Sequence, residues 1–147
     1  MRPKVFIDTN VLIDVLCQDR KSCKVSNKIF QAIKAGLLEG ALTPQSAVDA
    51  SYVNRKDKRL LDKDFRSYIH TLSQYVNIEM VDMFNLRDAC TLYNSGDFED
   101  DVLYACAKAS CCDIIVTNDH NFKERHQNTD PHIRFMTPEE LVEEMTP

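Results

Sequence analysis

Short apolar runs rich in β-formers alternate along the chain with stretches whose apolar residues recur every three or four positions. The first run, Lys4-Val5-Phe6-Ile7, stops at Asp8-Thr9-Asn10, residues that favour turns and helix caps. A strand, a turn and a helix through Val11-Leu12-Ile13-Asp14-Val15-Leu16 are therefore predicted. Ser22 is placed to cap a second helix running to about Ala35, with Val25, Ile29, Ala32 and Ile33 on one face and Gly36 ending it. A second strand is expected over 37–42. Thr43-Pro44 follows, a capping residue directly before a proline at the first helical position, and opens a helix to about Asn54. Leu61, Phe65, Tyr68, Ile69 and Leu72 mark a helix over 60–74, and 75–81 alternates like a half-buried strand. Positions 83–93 read as a helix ended by Asn94-Ser95-Gly96. After Asp97-Phe98-Glu99-Asp100-Asp101, the small residues of 102–109 suit a closely packed helix. Positions 112–116 read as a buried strand ending at Thr117-Asn118-Asp119, and 133–136 as a last short strand. Thr137-Pro138-Glu139-Glu140 then opens a terminal helix with Thr as cap, Pro first and Glu third.

This alternation implies an α/β protein of three layers, α/β/α, whose sheet is mostly parallel and covered on both faces. A chain of 147 residues fits one domain, and 44% hydrophobic, 28% charged residues with 3 Gly and 5 Pro argue against disorder or low complexity. No stretch reads as a linker or an internal repeat. The apolar run at the N-terminus is too short for a signal segment or a membrane span, so a cytoplasmic protein with no membrane association is expected. Cys17, Cys23, Cys90, Cys106, Cys111 and Cys112 lack paired metal-binding spacing, which predicts reduced and mostly buried thiols.

The acidic residues change the picture. In parallel sheets, functional groups gather beyond the carboxyl ends of the strands. Asp8 follows the first strand, Asp119 follows the strand Ile114-Ile115-Val116, and Asp97, Asp100 and Asp101 open the helix that feeds that strand. Asp49 lies one to two turns into the helix after the second strand, among Ala47, Val48 and Ala50, and either faces inward or is exposed or paired with a lysine. Aspartates at α/β turns are also common for capping reasons alone, so only the joint placement carries weight. Converging carboxylates repel unless a divalent cation neutralises them, and hard oxygen donors select Mg²⁺ or Mn²⁺. His70, His120, His126 and His132 offer no competing ligand pattern. Such ions activate water and neutralise a scissile phosphate, which is phosphodiester hydrolysis.

Net charge is −5, unfavourable for a nucleic-acid partner, but four aspartates committed to cations would leave about −1 for the remainder. The basic stretch Asn54-Arg55-Lys56-Asp57-Lys58-Arg59-Leu60-Leu61-Asp62-Lys63 is then either an ordinary solvated surface or a phosphate-tracking one through Arg55, Lys56, Lys58 and Arg59.

Val5-Phe6-Ile7-Asp8-Thr9-Asn10-Val11-Leu12-Ile13 resembles the opening motif of PIN domains. Asp97-Phe98-Glu99-Asp100 with Ala105-Cys106-Ala107, then Ile114-Ile115-Val116-Thr117-Asn118-Asp119 with Phe122, resembles their closing motifs, and Met136-Thr137-Pro138-Glu139-Glu140-Leu141 also fits. The resemblance spans nearly the whole chain. It implies a five-stranded parallel sheet and an Mg²⁺- or Mn²⁺-dependent endoribonuclease acting on single-stranded RNA. Many family members of this size are VapC-like toxins with an antitoxin partner, often homodimeric. By position, Asp8 would be the central metal ligand, Asp100 and Asp119 would share the cations, and Thr9, Asn10 and Thr117 would order the site. Asp97 could add a ligand, and Asp101 competes with Asp100 for the same role. Asp49 stands where the family usually has Glu, within Ser46-Ala47-Val48-Asp49-Ala50-Ser51-Tyr52, which leaves weaker metal binding or low activity open.

Two other readings stand beside this one. An aspartyl-phosphate phosphatase would use Asp8 as nucleophile, but such sites place a second Asp two residues on, where this chain has Asn10. A PIN-like module that binds RNA or protein without cutting is kept open by Asp49.

Overall fold

A computed structural model describes residues 1–92 and 96–146. The elements in chain order are β1 (Lys4–Ile7), α1 (Thr9–Leu16), α2 (Cys23–Lys34), β2 (Glu39–Leu42), α3 (Pro44–Asp57), α4 (Asp62–Leu72) and β3 (Val76–Ile78), then α5 (Met83–Thr91), α6 (Phe98–Ala109), β4 (Ile114–Val116), α7 (His120–His126), β5 (Arg134–Met136) and α8 (Pro138–Met145). The five strands pair in the order β3-β2-β1-β4-β5, and every pairing is parallel. The chain steps outward from β1 to β3, then returns to pair β4 on the other side of β1. The strand order thus reverses between β1 and β4, where open α/β sheets form a crevice at their carboxyl ends.

Strand alternation divides the core. Val5, Ile7, Leu42, Ile114 and Val116 point to one face, where α1, α2, α3, α4 and α8 pack through Leu12, Ile29, Ala50, Phe65, Leu72 and Leu141. Phe6, Ala41, Ile115 and Phe135 point to the other, against Tyr104, Cys106 and Ala107 of α6 and Phe122 of α7. The expected three layers are therefore present, with β1 at the centre and Val5, Phe6 and Ile7 wholly removed from water. Five strands, all parallel, agree with what the family resemblance implies.

Several boundaries differ for physical reasons. Ser22 precedes α2 but makes no capping bond there; its hydroxyl instead reaches Glu139 of α8 at 3.5 Å. The second strand begins only at Glu39, because Leu37 is exposed and Gly36, at φ 76, turns the chain out of α2. Helix α3 runs on to Asp57, so Arg55 and Lys56 lie in its last turn rather than in a loop, and Lys58 closes it in the left-handed conformation. Strand β3 is shorter than 75–81 because only Val76–Ile78 pair with β2. Helix α6 begins four residues early because Asp97 caps it through Glu99 N. The helix expected over 83–93 is found as Met83–Thr91, and its proposed end at Tyr93, Asn94 and Ser95 lies outside the described residues. Helix α7 had no expected counterpart. The Thr137–Glu140 capping box and the Thr43 cap before Pro44 form as expected.

Among the described residues no helix is long and apolar enough to cross a membrane. All six cysteines are free; Cys17, Cys23, Cys106 and Cys112 are buried, whereas Cys90 and Cys111 are exposed. Burial pushes the Cys112 thiol up to about 12, leaving it inert.

Gly40 permits α2 to lie close on β2: an added Cβ would meet Ile33 Cδ1 at 2.6 Å and Cγ2 at 3.0 Å. Gly40→Ala should therefore cost about 1–3 kcal/mol in denaturant unfolding, as overpacked cores do. Combining it with Ile33→Val, which removes the nearest carbon, should recover part of that loss.

Candidate active site

Asp8 emerges from the centre of the sheet at the reversal of strand order and caps α1. Its amide still pairs with Val116 O at 3.1 Å, so the backbone stays registered with β4. The carboxylate is almost wholly buried. Its Oδ1 accepts from Thr9 N at 2.7 Å, and its Oδ2 accepts from Thr117 Oγ1 at 2.6 Å and Asn10 Nδ2 at 3.0 Å. Burial raises its pKa; the bonds from Thr117, Thr9 and Asn10 oppose the rise, and the nearby Asp119 charge adds to it.

Thr9 contributes through its backbone, while its hydroxyl donates to Ser46 Oγ at 2.9 Å and so ties α1 to α3. Asp119 caps α7, with Oδ1 accepting from Asn121 N at 2.9 Å and Phe122 N at 3.2 Å. Asp97 caps α6 in the same way through Glu99 N at 2.9 Å and is exposed. Three candidate carboxylates are thus helix caps, each held by amides at the positive end of a helix dipole.

Asp100 lies in the first turn of α6, buried, with Oδ2 paired to the Arg125 guanidinium. Burial first, then the charges of Asp97, Asp8 and Asp119, raise its carboxyl to about 7 against the opposing pull of Arg125. Neighbouring Asp101 points elsewhere: its Oδ1 meets His126 Nε2 at 2.7 Å, and both side chains are buried. The two adjacent aspartates therefore face different partners.

Asp49 is partly exposed rather than fully inward, and its Oδ1 accepts from Gln45 Nε2 at 2.8 Å. No lysine holds it among the described residues. Its carboxylate instead adjoins Glu99, whose pKa is raised by partial burial and then by Asp49. The basic residues Arg55, Lys56, Lys58 and Arg59 are all exposed around the end of α3, but Arg59 is tied to Asp19 at 2.6 Å and Arg55 lies over the Tyr52 ring.

Several participants carry no clear mark in the sequence. Asp14 is one turn and a half along α1 from Asp8, buried, and accepts from Asn118 Nδ2 at 2.6 Å, Arg20 Nε at 2.7 Å and Ser26 Oγ at 3.2 Å. It thereby anchors the loop that carries Thr117 and Asp119. A carboxylate inside the apolar run Val11-Leu12-Ile13-Asp14-Val15-Leu16 was the available signal. Glu99 is visible only as one more acid in an acidic stretch. Arg125 and His126 depend on α7, whose packing brings them to residues 25 positions earlier.

A match to the PIN domain model covers residues 4–121. The chain belongs to the PIN-domain family. Ribonuclease VapC1 of Aquifex aeolicus is 26% identical over 144 residues, covering 95% of this chain and 94% of that protein. Among solved structures, the Mycobacterium tuberculosis toxin VapC20, described as cleaving the sarcin-ricin loop, superposes with a TM-score of 0.66 at 12% identity. That alignment covers 83% of this chain and 95% of VapC20. A chain of the Rickettsia felis VapBC2 complex bound to a promoter DNA fragment gives 0.63 at 15% identity, covering 91% of this chain and 98% of that one.

Hard cations suit the donor set. Asp97 Oδ2, Asp100 Oδ1 and Asp119 Oδ2 carry no hydrogen bond among the described residues, so each carboxylate keeps an oxygen available. These oxygens do not form a closed shell: among the described residues no three acidic, His or Cys side chains stand close enough to grip an ion.

The raised carboxyl has a measurable sign. Folded Asp100 retains a proton that the unfolded chain releases, so without metal the folded state loses stability as pH rises from 3.8 to about 7. The difference in melting temperature between wild type and Asp100→Asn should drift against the wild type across that window. A difference independent of pH would remove this assignment.

Proposed function

We propose that this protein is an Mg²⁺- or Mn²⁺-dependent endoribonuclease that hydrolyses single-stranded RNA, and the toxin of a toxin–antitoxin pair. The reading is carried by the positions of Asp8 and Asp119 beyond the carboxyl ends of β1 and β4, with Asp97 and Asp100 at the start of α6 near enough for their charges to act on one another. Membership in the PIN-domain family and the ribonuclease and toxin names of its relatives support it. Asp8, Asp100 and Asp119 would hold the metal, with Asp97 as a further ligand and Asp49 reaching it through water. When bound, the ion supplies an activated water and charge neutralisation at the phosphate.

The chain's own residues have distinct tasks in this scheme. Thr117 and Asn10 fix the rotamer of Asp8, and Thr9 holds α1 to α3 through Ser46, so that Asp49 and Asp8 keep their separation. Arg55, Lys56, Lys58 and Arg59 would follow the RNA backbone. Exposed Ile78, Met80, Met83 and Phe84 around edge strand β3 and the start of α5 form an apolar surface suited to a second copy of the chain. The antitoxin would be a separate protein, and a short adjacent reading frame encoding one would support the pairing. A second reading, RNA or protein binding without cleavage, is favoured by Asp49 being engaged by Gln45.

Cleavage of unstructured RNA decides between the two. Mg²⁺ or Mn²⁺ should support it, EDTA should stop it, and Asp8→Asn should lower the rate by on the order of a hundredfold or more, as loss of a central electrostatic group does. Equal cleavage by Asp8→Asn would exclude that residue from the chemistry; metal-independent RNA binding with no cleavage would favour the binding module.

Replacing Arg55, Lys56 and Lys58 with Ala should weaken RNA binding and flatten its salt dependence by about one unit of slope per lost phosphate contact. Arg59→Ala should do less, because Asp19 already engages that guanidinium. An unchanged slope in the triple variant would make the stretch a solvated surface.

A further inference from the structure

The geometry points to Arg125 as a resident counter-cation that a divalent metal must displace from Asp100, so that metal uptake and release of the guanidinium are one event. The inference rests on the metal-dependent reading of the site.

Arg125 is in the last turn of α7, the helix capped by Asp119, and its Nη2 lies on Asp100 Oδ2. A guanidinium is charged at every accessible pH, so whenever Asp100 is ionised its negative charge already has a partner. Asp100 retains Oδ1, but an ion there would sit beside a fixed like charge. Arginine and metal therefore compete for one carboxyl group.

The backbone is shaped for this contact. An added Cβ on Gly96 would lie 2.6 Å from both Cδ and Nε of Arg125 and 2.9 Å from Cζ. The missing side chain of Gly96 leaves the room that Arg125 occupies. Arg125 is also the more exposed partner, 23% against 10% for the Asp100 side chain, so the guanidinium is nearer to water than the carboxylate is.

Mn²⁺ binding measured by calorimetry on the purified full chain, in mildly alkaline buffer, tests the competition. Arg125→Met should bind Mn²⁺ about tenfold more tightly than wild type, the order of one charge-assisted hydrogen bond. Gly96→Ala keeps every charge and pushes the side chain off its path, and it should also tighten binding; it remains informative if the first variant folds poorly. Equal or weaker binding in both variants would overturn the inference and make Arg125 an organiser of Asp100. Tightening in Arg125→Met alone would overturn it as well, because net charge rather than the contact would then be responsible. If wild type and variants all fail to bind Mn²⁺, the metal-dependent reading falls and takes the inference with it; if wild type binds and the variants do not improve, only the inference falls.

Discussion

Like charges crowded at the edge of a low-dielectric sheet are the constraint around which this molecule is organised. Asp8, Asp100 and Asp119 lie where water is partly excluded, and burial first, with the neighbouring like charges adding to it, raises the carboxyls of Asp8 and Asp100. Folding such an arrangement requires opposing interactions that exist before any ligand arrives. The chain supplies them from its backbone: Asp8, Asp97 and Asp119 cap α1, α6 and α7, so three helix amino ends converge on the acidic cluster. Capping leaves a second oxygen free on Asp97 and Asp119, whereas Asp8 engages both of its oxygens with Thr9, Thr117 and Asn10.

Side chains complete the neutralisation. Arg125 lies on Asp100, and Arg20 on the buried Asp14, whose other oxygen holds Asn118. The latter bond matters beyond its own strength, since it joins α1 to the loop after β4. Both ends of the Asp8–Thr117 hydrogen bond are thus fixed from behind, one by the strand pairing and the other by Asp14.

Much of the fold was legible because its determinants are local. Apolar runs of three or four residues give the strands, and Thr43-Pro44 and Thr137-Pro138 give two helix starts, since caps act within a few residues. Asp8 and Asp119 could be placed because a strand end is a local event. What escaped depends on packing between distant segments. Helix α7 has a weak pattern of its own, with Phe122 and His126 its only buried residues, and is held by aromatic contacts to Tyr104 and Phe135. Missing that helix meant missing Arg125 and the partner that turns Asp101 away from Asp100. Asp49 is only partly inward for a similar reason: its small neighbours Ala47 and Ala50 say nothing about Gln45 one turn earlier, whose amide engages the carboxylate.

The buried bond between Asp101 and His126 has a mechanical consequence. It joins the start of α6 to the end of α7, and the same two helices carry Asp100 and Asp119. Those two carboxylates consequently ride on one braced unit. The opposite wall of the crevice, formed by α3 with Asp49, is joined to α1 by the apolar packing that includes Leu12 and Ala50 and by the hydroxyl relay of Thr9, Ser46 and Thr43. Each wall is thus tied by side chains that do not themselves reach the crevice.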